Sequence, residues 1–255
     1  MGETRRALGA MDWIEAALSL VYPDVCGICG EGEAGRDEGY VCAECAGGPG
    51  HVRWVGGTYC ERCGLPYEGV VTGTFECGNC GEMELHFEAA RAAVVATPFL
   101  LDVVHRYKYR GAVWFEPFLA GLLLREALPR VRREDWDAIV PVPLHPLRLR
   151  EREFNQAERL GARLARATGI PLRTRWVERT RATRTQALLD RRERVQNVGG
   201  SFAVRAGAGP IGGRVLVVDD VLTTGATTSG VARALRRAGA ERVGVWTVAR
   251  GVMEP

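Results

Sequence analysis

After Cys80 the apolar residues fall into short runs that alternate between two periods. Residues 89–98 and 242–249 read as strands. Residues 214–218, dominated by Val215, Leu216, Val217 and Val218, form the unbroken apolar run expected of a parallel strand buried on both faces. Residues 137–142 (DAIVPV) read as a short buried strand running into a Pro-rich loop. Residues 115–128 predict an apolar-rich helix. Residues 155–168 predict a second, in which Leu160 and Leu164 recur at helical spacing beside Arg159, Arg163 and Arg166. Residues 226–238 predict a third, ended by Gly239. Strands alternating with helices predict an α/β domain with a parallel sheet.

The chain has 255 residues, of which 46% are hydrophobic, enough for one full-sized domain and a small module. The formal charge of +3 says little about partners, but its distribution says more. Residues 26–80 hold three Arg against eight acids, a net −5; residues 144–197 hold fourteen Arg against six acids, a net +8. A basic stretch of this kind binds phosphates or a nucleic-acid backbone, or simply forms solvated helix faces. No run reaches the roughly 18 apolar residues of a membrane span. The apolar run at 14–21 is short, contains Glu15 and lacks the layout of a secretory signal. A cytoplasmic protein is the default expectation, and cytosolic thiols rarely form structural disulfides.

That matters because all eight cysteines lie within residues 26–80, as four C-x-x-C pairs: Cys26/Cys29, Cys42/Cys45, Cys60/Cys63 and Cys77/Cys80. Paired knuckles at this spacing are the layout of zinc ribbons, and eight thiolates close two tetrahedral sites. Sequential pairing is the simplest arrangement; an interleaved one remains open. Gly30, Gly64 and Gly81 follow three of the pairs, where positive φ lets backbone N–H groups reach the sulfurs. The alternatives to zinc are disulfides or redox thiols. His51 and His86 lie nearby, but with eight cysteines neither is needed as a ligand. The module is acidic, so it reads as a metal-stapled fold more readily than as a nucleic-acid binder.

The segment at 215–228 (VLVVDDVLTTGATT) carries the sharpest chemistry: an apolar strand ending in two acids, a Thr/Gly-rich turn, then a helix. Ligands of parallel α/β sheets bind at the carboxyl ends of strands. The turn and helix N-terminus offer N–H donors to a phosphate. Thr223, Thr224, Gly225, Ala226, Thr227 and Thr228 form that cradle, whereas Asp219 and Asp220 would repel a phosphate and suit ribose hydroxyls or a metal-bound sugar. The plain alternative is an ordinary βα turn with a Thr cap.

This string resembles the motif by which type I phosphoribosyltransferases bind 5-phosphoribosyl-1-pyrophosphate (PRPP). From about residue 14 to 249 the chain resembles the ComF family, phosphoribosyltransferase-like proteins associated with competence for DNA uptake. The resemblance rests on the cysteine pairs, on Tyr107-Lys108-Tyr109-Arg110-Gly111, on Pro141-Val142-Pro143-Leu144, on Arg152-Glu153-Phe154-Asn155-Gln156, and on the segments at 183–186 and 194–197. Glu153 stands where the family has Gly, a residue suited to positive φ. The resemblance implies a type I phosphoribosyltransferase fold with an N-terminal zinc-ribbon module. The corresponding division is an N-terminal helix over 1–22, a double zinc ribbon over 23–84 and the phosphoribosyltransferase domain over 85–255. It also implies that Asp219 and Asp220 contact ribose hydroxyls, that 223–227 hold the 5′-phosphate, and that Pro143 and Leu144 approach the pyrophosphate. Residues 179–186, with Arg184, would be a flap closing over the site. Two structural zinc ions and magnesium bound with PRPP complete the expected cofactors.

Lys108 is the single lysine in the chain, beside thirty-three arginines, and reads either as a point charge retained for a role or as chance on an exposed helix. Catalysis would need no side-chain nucleophile, only charge stabilisation of departing pyrophosphate by magnesium, Lys108 and Arg184. His105 and His145 look isolated. Three functions remain: a phosphoribosyltransferase with an unknown acceptor; a PRPP-binding protein that supports single-stranded DNA handling and meets DNA-uptake proteins; and a zinc-ribbon nucleic-acid module on an inert body. The charge split places any affinity for single-stranded DNA on the body, with little base stacking.

Overall fold

The computed structural model describes residues 24–67, 69, 77–81, 83–181 and 200–252. The expected N-terminal helix over 1–22, Arg184, and the segments at 183–186 and 194–197 lie outside the described residues. The elements are α1 (Ala43–Gly47), α2 (Gly78–Gly81), β1 (Ala89–Val95), α3 (Pro98–Tyr109), α4 (Glu116–Ala127), β2 (Ala138–Pro141), α5 (Pro146–Arg152), α6 (Gln156–Thr168), β3 (Val177–Arg179), β4 (Phe202–Val204), β5 (Arg214–Leu222), α7 (Ala226–Arg237) and β6 (Arg242–Arg250). The strands β1-β6-β5-β2 form one all-parallel sheet, and β3 and β4 pair antiparallel as a separate two-stranded sheet.

β5 sits inside the sheet with a hydrogen-bonded neighbour on each side. Its apolar run packs by period two. Val215 and Val217 join a core with α7, β3 and β4; Leu216 and Val218 join a core with α3, α4 and α6. All four are fully buried, as the sequence pattern demands of a strand covered on both faces.

Several boundaries differ from the sequence expectation. The first strand stops at Val95 rather than 98, because Thr97 caps a helix: its Oγ1 accepts the Leu100 N–H at 3.2 Å, and Pro98 occupies the first turn. That helix, α3, escaped the pattern reading although Leu100, Val103, Val104 and Tyr107 line its buried face. Asp219 and Asp220 do not end β5. Pairing with β6 continues through Asp219↔Thr247, Val221↔Ala249 and Leu222↔Arg250, so the acids lie within the strand. α5 and the β3/β4 pair are further additions.

α4 and α6 meet across Glu116, which is buried and ion-paired to Arg159 and, at 2.7 Å, to Arg163. The chain between the cysteine groups runs along the free edge of β1, where the Val55 N–H donates to the Ala93 carbonyl and the Val95 N–H to the Arg53 carbonyl. The four later cysteines are part of the same core as Val215 and Val217. Among the described residues no helix is long and apolar enough to cross a membrane.

Glu153 terminates α5 in the left-handed region, at φ +66°, with its N–H donating to the Leu149 carbonyl. A side chain there costs about 1 kcal/mol relative to glycine. Glu153→Gly is expected to raise the melting temperature by roughly 2–4 °C; calorimetric melting shows the outcome, and a lowered midpoint would contradict the strain.

Candidate functional site

The carboxyl ends of β2 and β5 open onto a cleft of about 780 Å³. Strand pairing brings its parts together. Pro141 pairs with Val218, so the chain leaves β2 directly beside Asp219, and the Val142 N–H donates to the Val218 carbonyl at 2.9 Å. Asn155 fixes that loop: its Nδ2 donates to the Val142 carbonyl at 3.1 Å while its Oδ1 caps α6 through the Ala157 N–H.

Of the residues singled out in the sequence, Lys108, Leu144, Asp219, Asp220, Thr223, Thr224, Gly225, Ala226, Thr227 and Thr228 all line this cleft. Pro143 lies between two lining residues, Val142 and Leu144, without lining it itself. His105 and His145, isolated in the sequence, both border it, and His145 caps α5. Sequence reasoning did not assign Arg148 or Arg152, which the fold brings to the same wall; the signal was the run of basic residues at 148–152.

The strand period turns the two acids to opposite sides of the sheet. Asp220, on the side of α3, lies with Oδ2 2.6 Å from the Lys108 Nζ, and its side chain is 4% exposed. That oxygen accepts no hydrogen bond among the described residues. Its partner oxygen accepts the Val221 N–H at 2.7 Å, and Asp219 Oδ1 accepts the Asp220 N–H at 2.9 Å. Burial pushes the Asp219 carboxyl up to about 7; the neighbouring Asp220 charge adds to this, and Lys108 opposes it. At the end of β3, Arg179 reaches the cleft from the other side of the sheet, its guanidinium 5.4 Å from the Phe202 ring centre. Burial lowers its pKa and Asp219 counteracts that. The cleft thus gathers Lys108, Arg148, Arg152 and Arg179 around two buried carboxyls.

The turn after β5 is built for close approach. Gly225 has φ +90°, Thr224 Oγ1 accepts the Ala226 N–H at 3.3 Å, and Thr228 donates to the Gly225 carbonyl at 3.1 Å. The first N–H groups of α7 have no partner within the helix, so an anion in the turn meets donors and a positive dipole end.

The cysteines form two tetrads in sequence order: Cys26, Cys29, Cys42 and Cys45, then Cys60, Cys63, Cys77 and Cys80, each with its sulfurs within 4.8 Å of one another. Tetrahedral thiolate sites on zinc put sulfurs about 3.8 Å apart. Here Cys29–Cys42 is 3.9 Å and Cys60–Cys80 is 3.7 Å. Backbone N–H groups of Ile28 and Cys42 point at the Cys26 sulfur. Burial raises that thiol, but these donors prevail and bring it to about 6. Cys45 is pushed up to about 12 by burial and by its neighbours' sulfurs, and Cys80 rises for the same reasons. A divalent cation removes that repulsion, so the donor sets fit structural zinc. Gly30 and Gly64 take positive φ as expected, whereas Gly81 does not, being helical. His51 hydrogen-bonds the Cys45 carbonyl through Nδ1 at 2.7 Å and stacks on Phe99.

A parallel sheet with helices on its faces, an acid–acid–loop–helix cleft at its carboxyl end and two cysteine tetrads define a phosphoribosyltransferase-type protein with a double zinc ribbon. The chain matches the double zinc ribbon domain over residues 17–83 and the phosphoribosyl transferase domain over residues 169–252. Competence protein F of Haemophilus influenzae is 32% identical over 75% of this chain and 84% of its own length. The DNA utilization protein YhgH of Escherichia coli is 32% identical over 91% of this chain and 99% of its own. Competence protein ComFC of Streptococcus pneumoniae is 27% identical over 75% of this chain and 87% of its own. The chain belongs to the ComF family.

A carboxyl whose folded pKa is raised contributes stability below its unfolded value, near 3.8, and that stability is lost as pH rises through about 7. Asp219→Asn removes the buried charge and is expected to raise the melting temperature by several degrees at about pH 8 and by less at about pH 5.5. Thermal melts across that range test it; a gain that grows toward acid pH would be the wrong sign.

Proposed function

We propose that this chain binds PRPP with magnesium in the cleft at the carboxyl end of β5 and supports the handling of single-stranded DNA in competence or DNA utilization. One observation carries the reading: two buried acids on β5 lead directly into a Thr/Gly turn at the start of α7, with the 141–144 loop held alongside by strand pairing. In this reading Asp219 and Asp220 take the ribose hydroxyls. Thr223, Thr224, Gly225, Ala226 and Thr227 hold the 5′-phosphate. Leu144, with Pro143 behind it, borders the pyrophosphate, and Lys108 with Arg184 offsets its charge. Asp219 and Asp220 are the carboxylates that would meet magnesium with the ribose, and the Asp220 oxygen facing Lys108 would have to exchange that ion pair for it. Magnesium, when bound, neutralises pyrophosphate and favours its departure. Each cysteine tetrad is assigned one structural zinc.

The named functions of the relatives, competence and DNA utilization, support the DNA side of the reading. So does a shallow groove of about 450 Å³ on the basic body, lined by Arg173, Arg175, Arg205 and a single aromatic, Trp176. Arginines draw the phosphate backbone, and a single aromatic, covered by the Arg173 guanidinium at 5.7 Å, leaves little base stacking.

A second reading, an active phosphoribosyltransferase with an unidentified acceptor, is favoured by the outer wall of the cleft. Leu101, Tyr109 and Leu147 are 45%, 52% and 53% exposed there, and the Arg152 guanidinium lies 4.4 Å from the Tyr109 ring centre. Such a wall suits a planar group beside the ribose.

Elemental analysis is expected to return two zinc ions per chain; absence of zinc, or four disulfides in freshly isolated protein, would overturn the metal assignment. Calorimetry with PRPP and magnesium is expected to show binding that Asp220→Asn with Thr224→Ala weakens about a hundredfold, through loss of an oriented carboxylate and a loop hydroxyl from a desolvated site. Unchanged affinity in the double variant would refute the site. Filter binding of single-stranded DNA over a salt series, with and without PRPP, and a nucleobase screen for PRPP turnover separate the two readings.

A further inference from the structure

Arg250, the last residue of β6, is fully buried, and no carboxylate among the described residues pairs with it. A guanidinium buried without a counter-charge is costly unless its donors are satisfied by hydrogen bonds. It is held instead by the second cysteine group and main-chain carbonyls: its Nη2 lies 3.6 Å from the Cys63 Sγ, and its Nε donates to the Cys63 carbonyl at 3.0 Å. Its Nη1 is shared among the Leu222 carbonyl at 3.1 Å, the Thr223 carbonyl in the turn after β5 and the Gly251 carbonyl at 2.5 Å. A second link runs in parallel. Asn79, buried between Cys77 and Cys80, donates from Nδ2 to the Thr224 carbonyl at 3.1 Å. Three successive carbonyls of the turn are therefore held by the second tetrad's knuckles and by the arginine beside them.

Trans peptide geometry converts that into an effect on the cleft. In each peptide the carbonyl and the following N–H point opposite ways. With the carbonyls of Leu222, Thr223 and Thr224 drawn toward the cysteines, the N–H groups of Thr223, Thr224 and Gly225 face away from them. Those three residues line the cleft. A metal held by Cys60, Cys63, Cys77 and Cys80 would fix the Cys63 carbonyl and Asn79 in place, and through them Arg250 and the turn. Among the described residues the first tetrad makes no such contact with the turn.

We propose that the Cys60, Cys63, Cys77 and Cys80 tetrad controls the phosphate turn, with Arg250 and Asn79 as positioning residues, so that metal in this tetrad and an anion in the cleft bind cooperatively. The proposal rests on reading the turn as the PRPP phosphate site. Because coupling free energies are reciprocal, PRPP must protect this tetrad as much as the tetrad's metal promotes PRPP binding.

The test uses the full chain loaded with zinc. Cysteine alkylation is followed by peptide mass spectrometry during exposure to a zinc-selective chelator, with and without PRPP and excess magnesium, so that each tetrad is read separately. PRPP is expected to slow alkylation of the second tetrad at least about fivefold and to leave the first unchanged. Arg250→Met should abolish the protection and expose the second tetrad faster even without ligand, and Arg250→Lys should restore part of both effects. Asn79→Ala, which removes one hydrogen bond and no charge, provides a milder variant should Arg250→Met fail to fold; it should reduce the protection. Calorimetry of the zinc-loaded wild type with PRPP separates the two possible failures. No binding would overturn the phosphate reading and the coupling together. Binding with equal protection of both tetrads, or of neither, would overturn the coupling alone.

Discussion

Parallel hydrogen bonding on both sides of β5 is the constraint from which the cleft follows. Each neighbour fixes a different part of the site. β2 sets where the 141–144 loop leaves the sheet, and β6 carries the pairing onward until Leu222 lies beside Arg250. Because successive side chains on a strand alternate, the packing of Val215 and Val217 on one core and Leu216 and Val218 on the other dictates where the acids point. Asp220 follows Leu216 and Val218 toward α3 and meets Lys108; Asp219 follows Val215 and Val217 toward the side that carries Arg179. A slip of one residue would exchange the acids and bury apolar groups against the wrong helices. The hydrophobic pattern therefore specifies the electrostatics of the cleft before any charged contact forms.

Charge is then held where water is scarce. Glu116 between two arginines, Asp220 against Lys108 and Arg250 against the Cys63 sulfur are three solutions to one problem, the high cost of an isolated buried charge. The first joins two helices. The second sets a carboxylate at the mouth of a ligand cleft. The third ties residues 187 positions apart, the knuckle of a ribbon and the last strand of the sheet. Asp219 differs: among the described residues no cation forms an ion pair with it, and burial raises its pKa.

Much of this was legible in the sequence where the local pattern alone decides structure. The apolar run at 215–218, the arginine-flanked leucines of α6 and the regular cysteine pairs each allow few readings. So does the Thr/Gly turn, because strand, turn and helix signals coincide there. The failures have physical causes. α3 was hidden because an apolar strand runs into a Thr-Pro cap, and an apolar helix face has the same composition as the strand before it. The acids were taken as the end of β5, yet backbone pairing depends on a neighbouring strand and not on side-chain polarity, so β6 carries the strand past them. Arg250 looks like a solvent-facing end to an apolar run. Its buried partners include Cys63 and the carbonyls of Leu222 and Thr223, all distant in sequence, and no local pattern can reveal contacts across such separations.

Having a single lysine gives the molecule a practical property. The ε-amino group of Lys108 is a unique chemical label within the chain, and the fold has already placed it 2.6 Å from the Asp220 carboxylate. Protein prepared with isotopically enriched lysine carries one side-chain resonance, situated in the cleft itself. No mutagenesis is needed to install that probe. Any event that alters the charge or hydration of the cleft registers as a change in one assigned signal, against a background in which the other cationic side chains are arginines and histidines and stay silent.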